Sequence, residues 1–171
     1  LDVELKVPAG WASRSGLEAT GPHVFSAPNY DVLVDTPIET GRHAYKSFRA
    51  DGREYELLIW GQGNHDIDRI AGDIAKFAPV AGKMWGAYPF ERYVWMVHSG
   101  TELRGATEHL NSTIISKDRW SFAPREDYVK FIRTAAHEFV HTCNVKAYRP
   151  DGLVPYDYSD ENYSRLLWVA E

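Results

Sequence analysis

The stretch "PREDYVKFIRTAAHEFVH", residues 124–141, carries a clear helix signal. A proline opens it and acidic residues follow, which is typical of a helix N-terminus. Apolar side chains recur along one side of the predicted helix: Tyr128, Phe131, Ile132, Ala135 and Phe139. This spacing predicts a helix that packs one face against a core.

The end of this helix carries two histidines four residues apart, His137 and His141, with Glu138 directly after the first. Side chains at this spacing project from one face, so both imidazoles can bind a single zinc ion. Glu138 can take a proton from a water whose pKa the metal lowers. The pattern is that of H-E-x-x-H metallohydrolases, and it predicts two zinc ligands and a general base.

A catalytic zinc takes a third protein ligand. No histidine follows His141, so the candidates are carboxylates: Asp151, Asp157, Asp160, Glu161 and Glu171. Loop and helix-start positions favour solvated roles for the first four. Glu171 instead follows an apolar stripe, where a carboxylate needs a partner. Glu161 remains an alternative because thermolysin-like enzymes use a glutamate at about this distance.

The rest of the chain predicts an α+β protein. Proline and glycine break residues 1–50 into short segments, which suits strands and loops. "REYELLIW" (53–60) is typical of a strand, and an apolar repeat from Ile67 to Met84 predicts a helix with Asn64 as its N-cap. Two further stretches favour neighbouring strands: "RYVWMVHSG" and "TEHLNSTIIS". A last helix is predicted to start at Ser159 or Asp160.

Composition narrows the classes of partner. The 171 residues carry a net charge of −5 without a basic block, which disfavours nucleic acid and anionic membranes as partners. No apolar run reaches membrane-spanning length. The single cysteine, Cys143, excludes an internal disulfide and is predicted to be a buried small residue. The alternating start and the uncapped end, "RLLWVAE", predict an excerpt truncated at both ends.

Five separated segments resemble the bacterial glycyl aminopeptidase family of zinc metallopeptidases: "SAPNYDVLVDTPIE", "WGQGNHDIDRIAGDI", "GATEHLNSTII", "HEFVHTCNVKAYRP" and "YDYSDENYSRLLWVAE". The resemblance covers nearly the whole chain. It implies that residues 1–45 end an N-terminal β-sandwich-like domain. Residues 46–171 would be the mixed sheet and zinc-helix half of a thermolysin-like gluzincin domain. Further catalytic helices, a PDZ-like domain and a location in the bacterial cytoplasm or periplasm are also implied.

The resemblance also implies site residues. The family's "LLW-x-x-E" element matches residues 166–171, so His137, His141 and Glu171 would hold one zinc ion beside the base Glu138. In related aminopeptidases the glutamate of a Gly-x-x-Glu strand segment binds the free α-amine of the substrate, and Glu108 matches it. An exposed strand residue is the alternative for Glu108.

The substrate-binding segment contains Gly105 and Ala106, and two positions depart from the family pattern. Ala106 stands where a second glycine is common, and Cys143 stands where a bulky aromatic residue is common. The first departure is expected to alter substrate fit beside Glu108, and the second to alter packing behind His141.

The expected function is that of a zinc aminopeptidase. Its partner would be a peptide with a free N-terminus, from which it removes a small residue such as glycine or alanine. Two alternatives remain open at this point. One is a peptide-binding or structural module that keeps the fold without turnover, and the other is an endopeptidase of the same clan.

Overall fold

The first part of the chain forms short strands and one short helix. The structure is a computed structural model that describes residues 1–171 except the side chain of Ala170. The elements are β1 (Asp2–Glu4), β2 (Ala12–Ser15), β3 (Glu18–Gly21), β4 (Val24–Ser26), α1 (Tyr30–Asp35) and β5 (Ile38–Gly41). They build a three-stranded antiparallel sheet in the order β1-β4-β3 and an antiparallel pair of β2 with β5.

A small apolar core holds this first part together. Leu17, Phe25 and Ala27 are its buried members. Helix α1 begins after Asn29, whose side chain accepts a hydrogen bond from the Val32 N–H at 2.9 Å. Such a cap satisfies a backbone donor that the first helical turn leaves free. The predicted β-rich character is confirmed, whereas the boundary at residue 45 remains a prediction.

The remaining elements surround a second, larger sheet: β6 (Ala44–Ala50), β7 (Arg53–Trp60), α2 (Ile67–Trp85), β8 (Arg92–Gly100), β9 (Arg104–Glu108), β10 (Ser112–Asp118), α3 (Arg125–Val140), a 3-10 helix (Asp151–Leu153) and α4 (Leu167–Ala170). The sheet order is β6-β7-β8-β10-β9. Strands β7, β8 and β10 are parallel, and the two edge strands run antiparallel to their neighbours. The predicted α+β class and the mixed sheet are confirmed.

The stretch predicted as a single strand, "TEHLNSTIIS", contributes to two. Glu108 ends β9, a short turn follows, and β10 begins at Ser112. Thr113 on β10 faces Glu108 in the antiparallel register. Glu108 therefore lies at the outer edge of the sheet, beside a turn.

Helix α2 begins later than predicted. Asp66 is its N-cap, and its carboxylate accepts hydrogen bonds from the Asp68 and Arg69 N–H groups at 3.1 Å. Asn64 does not cap the helix: its side chain donates to the Trp120 carbonyl at 2.7 Å and accepts from the Phe122 N–H.

None of the described helices combines the length and the apolarity that crossing a bilayer requires.

The predicted helix starting at Ser159 or Asp160 is wrong. In the described part of the chain after residue 153, α4 is the one helical segment, and the apolar side chains around it are open to solvent. The apolar side chains of Leu166, Trp168 and Val169 are all exposed. Packing of an apolar face supplies most of the stability of a short helix. Because these side chains are not packed, their helical spacing alone does not extend α4 back to Ser159.

Phe139 packs α3 against the main core, which is the cluster of buried residues between the larger sheet, α2 and α3. Its ring is fully buried and contacts six aromatic rings from the sheet, from α2 and from the connection before β8: Tyr55, Phe77, Tyr88, Phe90, Tyr93 and Trp95. The other buried apolar residues of α3, Tyr128, Phe131 and Ala135, lie on the same side. This packing fixes the rotation of α3 about its axis.

We expect Phe139→Ala to lower the free energy of unfolding by about 3–5 kcal/mol, because it opens a cavity among these rings. Val129→Ala, at a partly exposed position of the same helix, is the control and should change it by less than about 0.5 kcal/mol. Urea unfolding followed by circular dichroism measures both. Equal losses in the two variants would contradict an anchoring role.

Candidate metal centre

The end of α3 brings the two histidines together. Their Nε2 atoms lie 3.0 Å apart and the rings meet edge to face. His137 is half exposed, whereas the side chain of His141 is only 4% exposed. The pair thus offers two nitrogen donors at the border between core and solvent.

Glu171 completes a group of three donors. Its Oε2 lies 3.7 Å from His137 Nε2 and 3.9 Å from His141 Nε2. Tetrahedral zinc with bonds of about 2.0–2.2 Å would hold its donor atoms roughly 3.3–3.6 Å apart. The three atoms need to move by only a few tenths of an ångström, and two imidazoles with one carboxylate are a typical catalytic donor set. The residues present therefore fit a zinc ion.

The alternative third ligand, Glu161, is not part of this group. Among the described residues, the two clusters with metal-binding geometry are His137 with His141 and Glu171, and Glu108 with Glu138 and His141. The other carboxylate candidates, Asp151, Asp157 and Asp160, are equally outside them. The geometry favours Glu171, and the ligand assignment remains a prediction.

One argument made for Glu171 from the sequence is wrong. An apolar stripe was expected to bury this carboxylate, but its side chain is 72% exposed and Trp168 is exposed as well. Glu171 directly follows α4, and its carboxylate lies beside the histidine pair while remaining open to solvent.

A backbone carbonyl orients His141. Its Nδ1 lies 3.3 Å from the Asn144 carbonyl oxygen, which can only accept, so Nδ1 carries the proton. The lone pair of Nε2 then points towards the possible metal position, as is usual for histidine ligands. The sequence carries no signal for this contact, because a backbone carbonyl is common to every residue.

Glu138 is buried near the end of α3, next in sequence to His137. It is only 6% exposed. Burial raises the pKa of its carboxyl group, the two histidines act in the opposite direction, and the Glu108 and Glu171 carboxylates raise it further. A raised pKa suits a group that must first accept and then return a proton.

Glu108 lies next to Glu138 and His141. One carboxylate oxygen of each glutamate and one imidazole nitrogen are all within 4.8 Å of one another. Within the described part of the chain, no hydrogen bond or ion pair to the Glu108 carboxylate is present. A half-buried carboxylate is thus left beside His141 and Glu138.

Two family models match the chain. The model of M61 glycyl aminopeptidases matches residues 130–171, and the model of the peptidase M61 N-terminal domain matches residues 1–42. The resemblance to glycyl aminopeptidases is confirmed. The stretch that matches the glycyl aminopeptidase model, residues 130–171, contains the histidine pair, Glu138 and Glu171.

Several solved structures are similar to the chain. An aminopeptidase N family protein from Idiomarina loihiensis is 28% identical, with a TM-score of 0.91 over 99% of this chain and 31% of that one. An M1 zinc metallopeptidase from Deinococcus radiodurans is 17% identical, with a TM-score of 0.54 over 79% of this chain and 32% of that one. A two-domain M1 zinc metallopeptidase variant bound to L-arginine is 16% identical, with a TM-score of 0.54 over 80% and 32%.

The chain spans about a third of the length of these solved chains. The two M1 structures show a shared fold only. No curated protein matches the chain significantly. Together the matches relate the chain to metallopeptidases.

The two departures from the M61 pattern have visible surroundings. Ala106 faces Ile115 across the sheet and packs against the main core, and its neighbour Gly105 has a φ of 114°, a conformation that favours glycine. Cys143 is buried, as predicted, with its Sγ 3.9 Å from the Ala87 carbonyl. A surface pocket of about 360 Å³ opens beside His137 and is also lined by Lys130, Arg133 and Thr134.

Proposed function

We propose that this chain supplies the zinc site and the amine-binding carboxylate of an aminopeptidase that removes small N-terminal residues from peptides. The observation that carries this proposal is the Glu108 carboxylate, which has no hydrogen-bond or ion-pair partner among the described residues and has an oxygen within 4.8 Å of donor atoms of Glu138 and His141. A carboxylate left without a partner there is suited to a cationic group of the substrate. The description of the matching M61 family as glycyl aminopeptidases supports glycine, or the similarly small alanine, as that residue.

The position of Glu108 would determine which bond is cut. An ammonium group paired with its carboxylate places the first peptide bond of the substrate a few ångströms away, over the histidine pair. The edge strand β9 can hold the peptide backbone as an added strand. The pocket beside His137 offers room for the leaving part of the peptide.

Glu138 would carry the proton during hydrolysis. A zinc ion held by His137, His141 and Glu171 would polarise the peptide carbonyl and lower the pKa of water. Glu138 takes the proton from the attacking water and returns it to the leaving amine, and burial helps the carboxyl group to hold it. The Asn144 carbonyl keeps His141 in the orientation in which Nε2 faces the site.

The proposal is tested with peptides that differ only in their N-terminus. In the natural chain that carries this sequence, Glu108→Gln should lower kcat/KM for glycyl-alanine by about 100-fold, because the ammonium group loses its ionic partner. N-acetylation of the peptide should have an effect at least as large. Release of alanine, measured by chromatography, reports both.

Glu102→Gln is the matched control, since Glu102 is an exposed glutamate in the connection before β9. It should leave kcat/KM within about twofold. Equal cleavage of free and N-acetylated peptides would replace the aminopeptidase by the endopeptidase alternative. Absence of cleavage in a zinc-loaded natural chain would favour a module without turnover.

A further inference from the structure

Asp35, the last residue of α1, lies at a contact between three segments of the chain. One carboxylate oxygen accepts a hydrogen bond from the Leu110 N–H at 3.0 Å, and the other accepts from Lys146 Nζ at 2.6 Å. His109 Nδ1 lies 3.7 Å away. We name these four residues, Asp35, His109, Leu110 and Lys146, the Asp35 junction.

The junction is enclosed. The side chains of Asp35, His109 and Lys146 are 16%, 14% and 15% exposed. Burial raises the pKa of the Asp35 carboxyl group, but its interactions with His109 and Lys146 lower the pKa more, so that it lies below the ordinary value. The group is therefore ionised at neutral pH, and its ion pair is less screened by solvent than one on the surface.

The two hydrogen-bond donors to Asp35 are close in sequence to residues of the proposed site. Leu110 follows Glu108 by two residues, in the turn between β9 and β10. Lys146 follows His141 by five residues, and its backbone N–H donates to the His141 carbonyl at 3.1 Å. The same carboxylate thus binds the segment that carries Glu108 and the segment that ends the zinc helix.

A second contact holds the same turn from the same side. The Asn111 side chain donates to the Gly16 carbonyl at 2.8 Å. The approach is so close that a Cβ atom on Gly16 would lie 2.2 Å from Asn111 Oδ1. The turn after Glu108 is therefore held at two points by the first 42 residues of the chain.

We propose that Asp35 is a positioning residue, which sets the distance between the Glu108 carboxylate and the histidine pair and thereby the affinity for a substrate amine. This inference rests on the proposed function. Because the Glu108 carboxylate lacks a partner of its own among the described residues, the backbone around it sets its position, through the pairing with Thr113 and through the turn that Asp35 holds at Leu110. A displacement of about 1 Å between a binding group and a reactive centre can cost up to 100-fold.

Two small hydroxamates separate positioning from general stability. Glycine hydroxamate carries a free amine and acetohydroxamate does not, so the ratio of their dissociation constants measures the amine contact alone. We expect Asp35→Asn to weaken glycine hydroxamate about tenfold and to leave acetohydroxamate within about twofold. Titration calorimetry of the zinc-loaded natural chain measures both constants.

Asp31→Asn is the matched control. Asp31 lies one turn earlier on α1 and pairs with Arg149, in the same loop as Lys146, at 2.9 Å. Its described contacts include none with residues 108–111. The ratio should therefore be unchanged in this variant. If Asp35→Asn does not fold, Lys146→Met removes the same ion pair from the other side. This variant should weaken glycine hydroxamate about threefold relative to acetohydroxamate.

The outcomes are distinct. A ratio that depends on Glu108, tested with Glu108→Gln, but is unchanged in Asp35→Asn and Lys146→Met overturns the positioning role and leaves the proposed function intact. An equal loss of affinity for both hydroxamates means that Asp35 supports the fold only, and this also overturns the proposal. A natural chain that binds both hydroxamates equally well overturns the amine site and the positioning role together.

Discussion

Glu138→Gln is expected to lower kcat of the natural chain by about three orders of magnitude, the middle of the range for loss of a general base. The amide has nearly the same shape as the carboxylate but cannot take the proton from water. Because Glu138 does not belong to the donor group of His137, His141 and Glu171, zinc content should stay the same. Hydrolysis of glycine arylamide, followed by absorbance, measures kcat.

Glu126→Gln on the same helix is the control, because Glu126 is exposed and its ion pair is with the surface residue Lys130. It should change kcat by less than about twofold. Glycine hydroxamate should bind the Glu138→Gln variant with affinity close to that of the unmodified chain. Undiminished hydrolysis in Glu138→Gln would rule out its role as the base.

Glu171→Gln is expected to weaken zinc binding by more than about 100-fold, a larger effect than loss of an outer partner of a metal ligand. The change replaces a charged oxygen donor by a neutral one and leaves the histidine pair unaltered. Competition with a coloured chelator gives the affinity. Metal analysis after dialysis should fall from one zinc ion per chain to nearly none.

Glu161→Gln is the control that decides between the two candidate ligands. Glu161 is exposed and lies outside the described metal-binding groups, so this variant should retain zinc. Loss of zinc in Glu161→Gln with retention in Glu171→Gln would reverse the assignment of the third ligand.

The elements that the sequence predicted well are those whose pattern is reinforced by packing. Helix α3 was predicted because its apolar residues recur at helical spacing, and the structure buries Phe131 and Phe139 on one face. The same argument failed near the end of the chain. The apolar residues around Trp168 have helical spacing but remain exposed, so nothing extends α4 backwards to Ser159.

The residues of the candidate site also differ in how far the sequence alone predicts them. His137, Glu138 and His141 could be found from local spacing, since a helix brings such residues to one side. Glu108 was found through the family resemblance, because the spacing of the residues says nothing about a strand that lies beside the helix. Asp35 carried no signal at all: its contacts with Leu110 and Lys146 join residues 75 and 111 positions apart.

Strand β9 has a consequence for self-association. An edge strand with free backbone groups can pair with the same strand of another molecule, and charged side chains discourage this. Arg104 begins β9, Glu108 ends it, and the exposed Gly105 with its unusual φ interrupts the regular surface between them. The carboxylate proposed to receive a substrate would thus also help to keep copies of this chain apart.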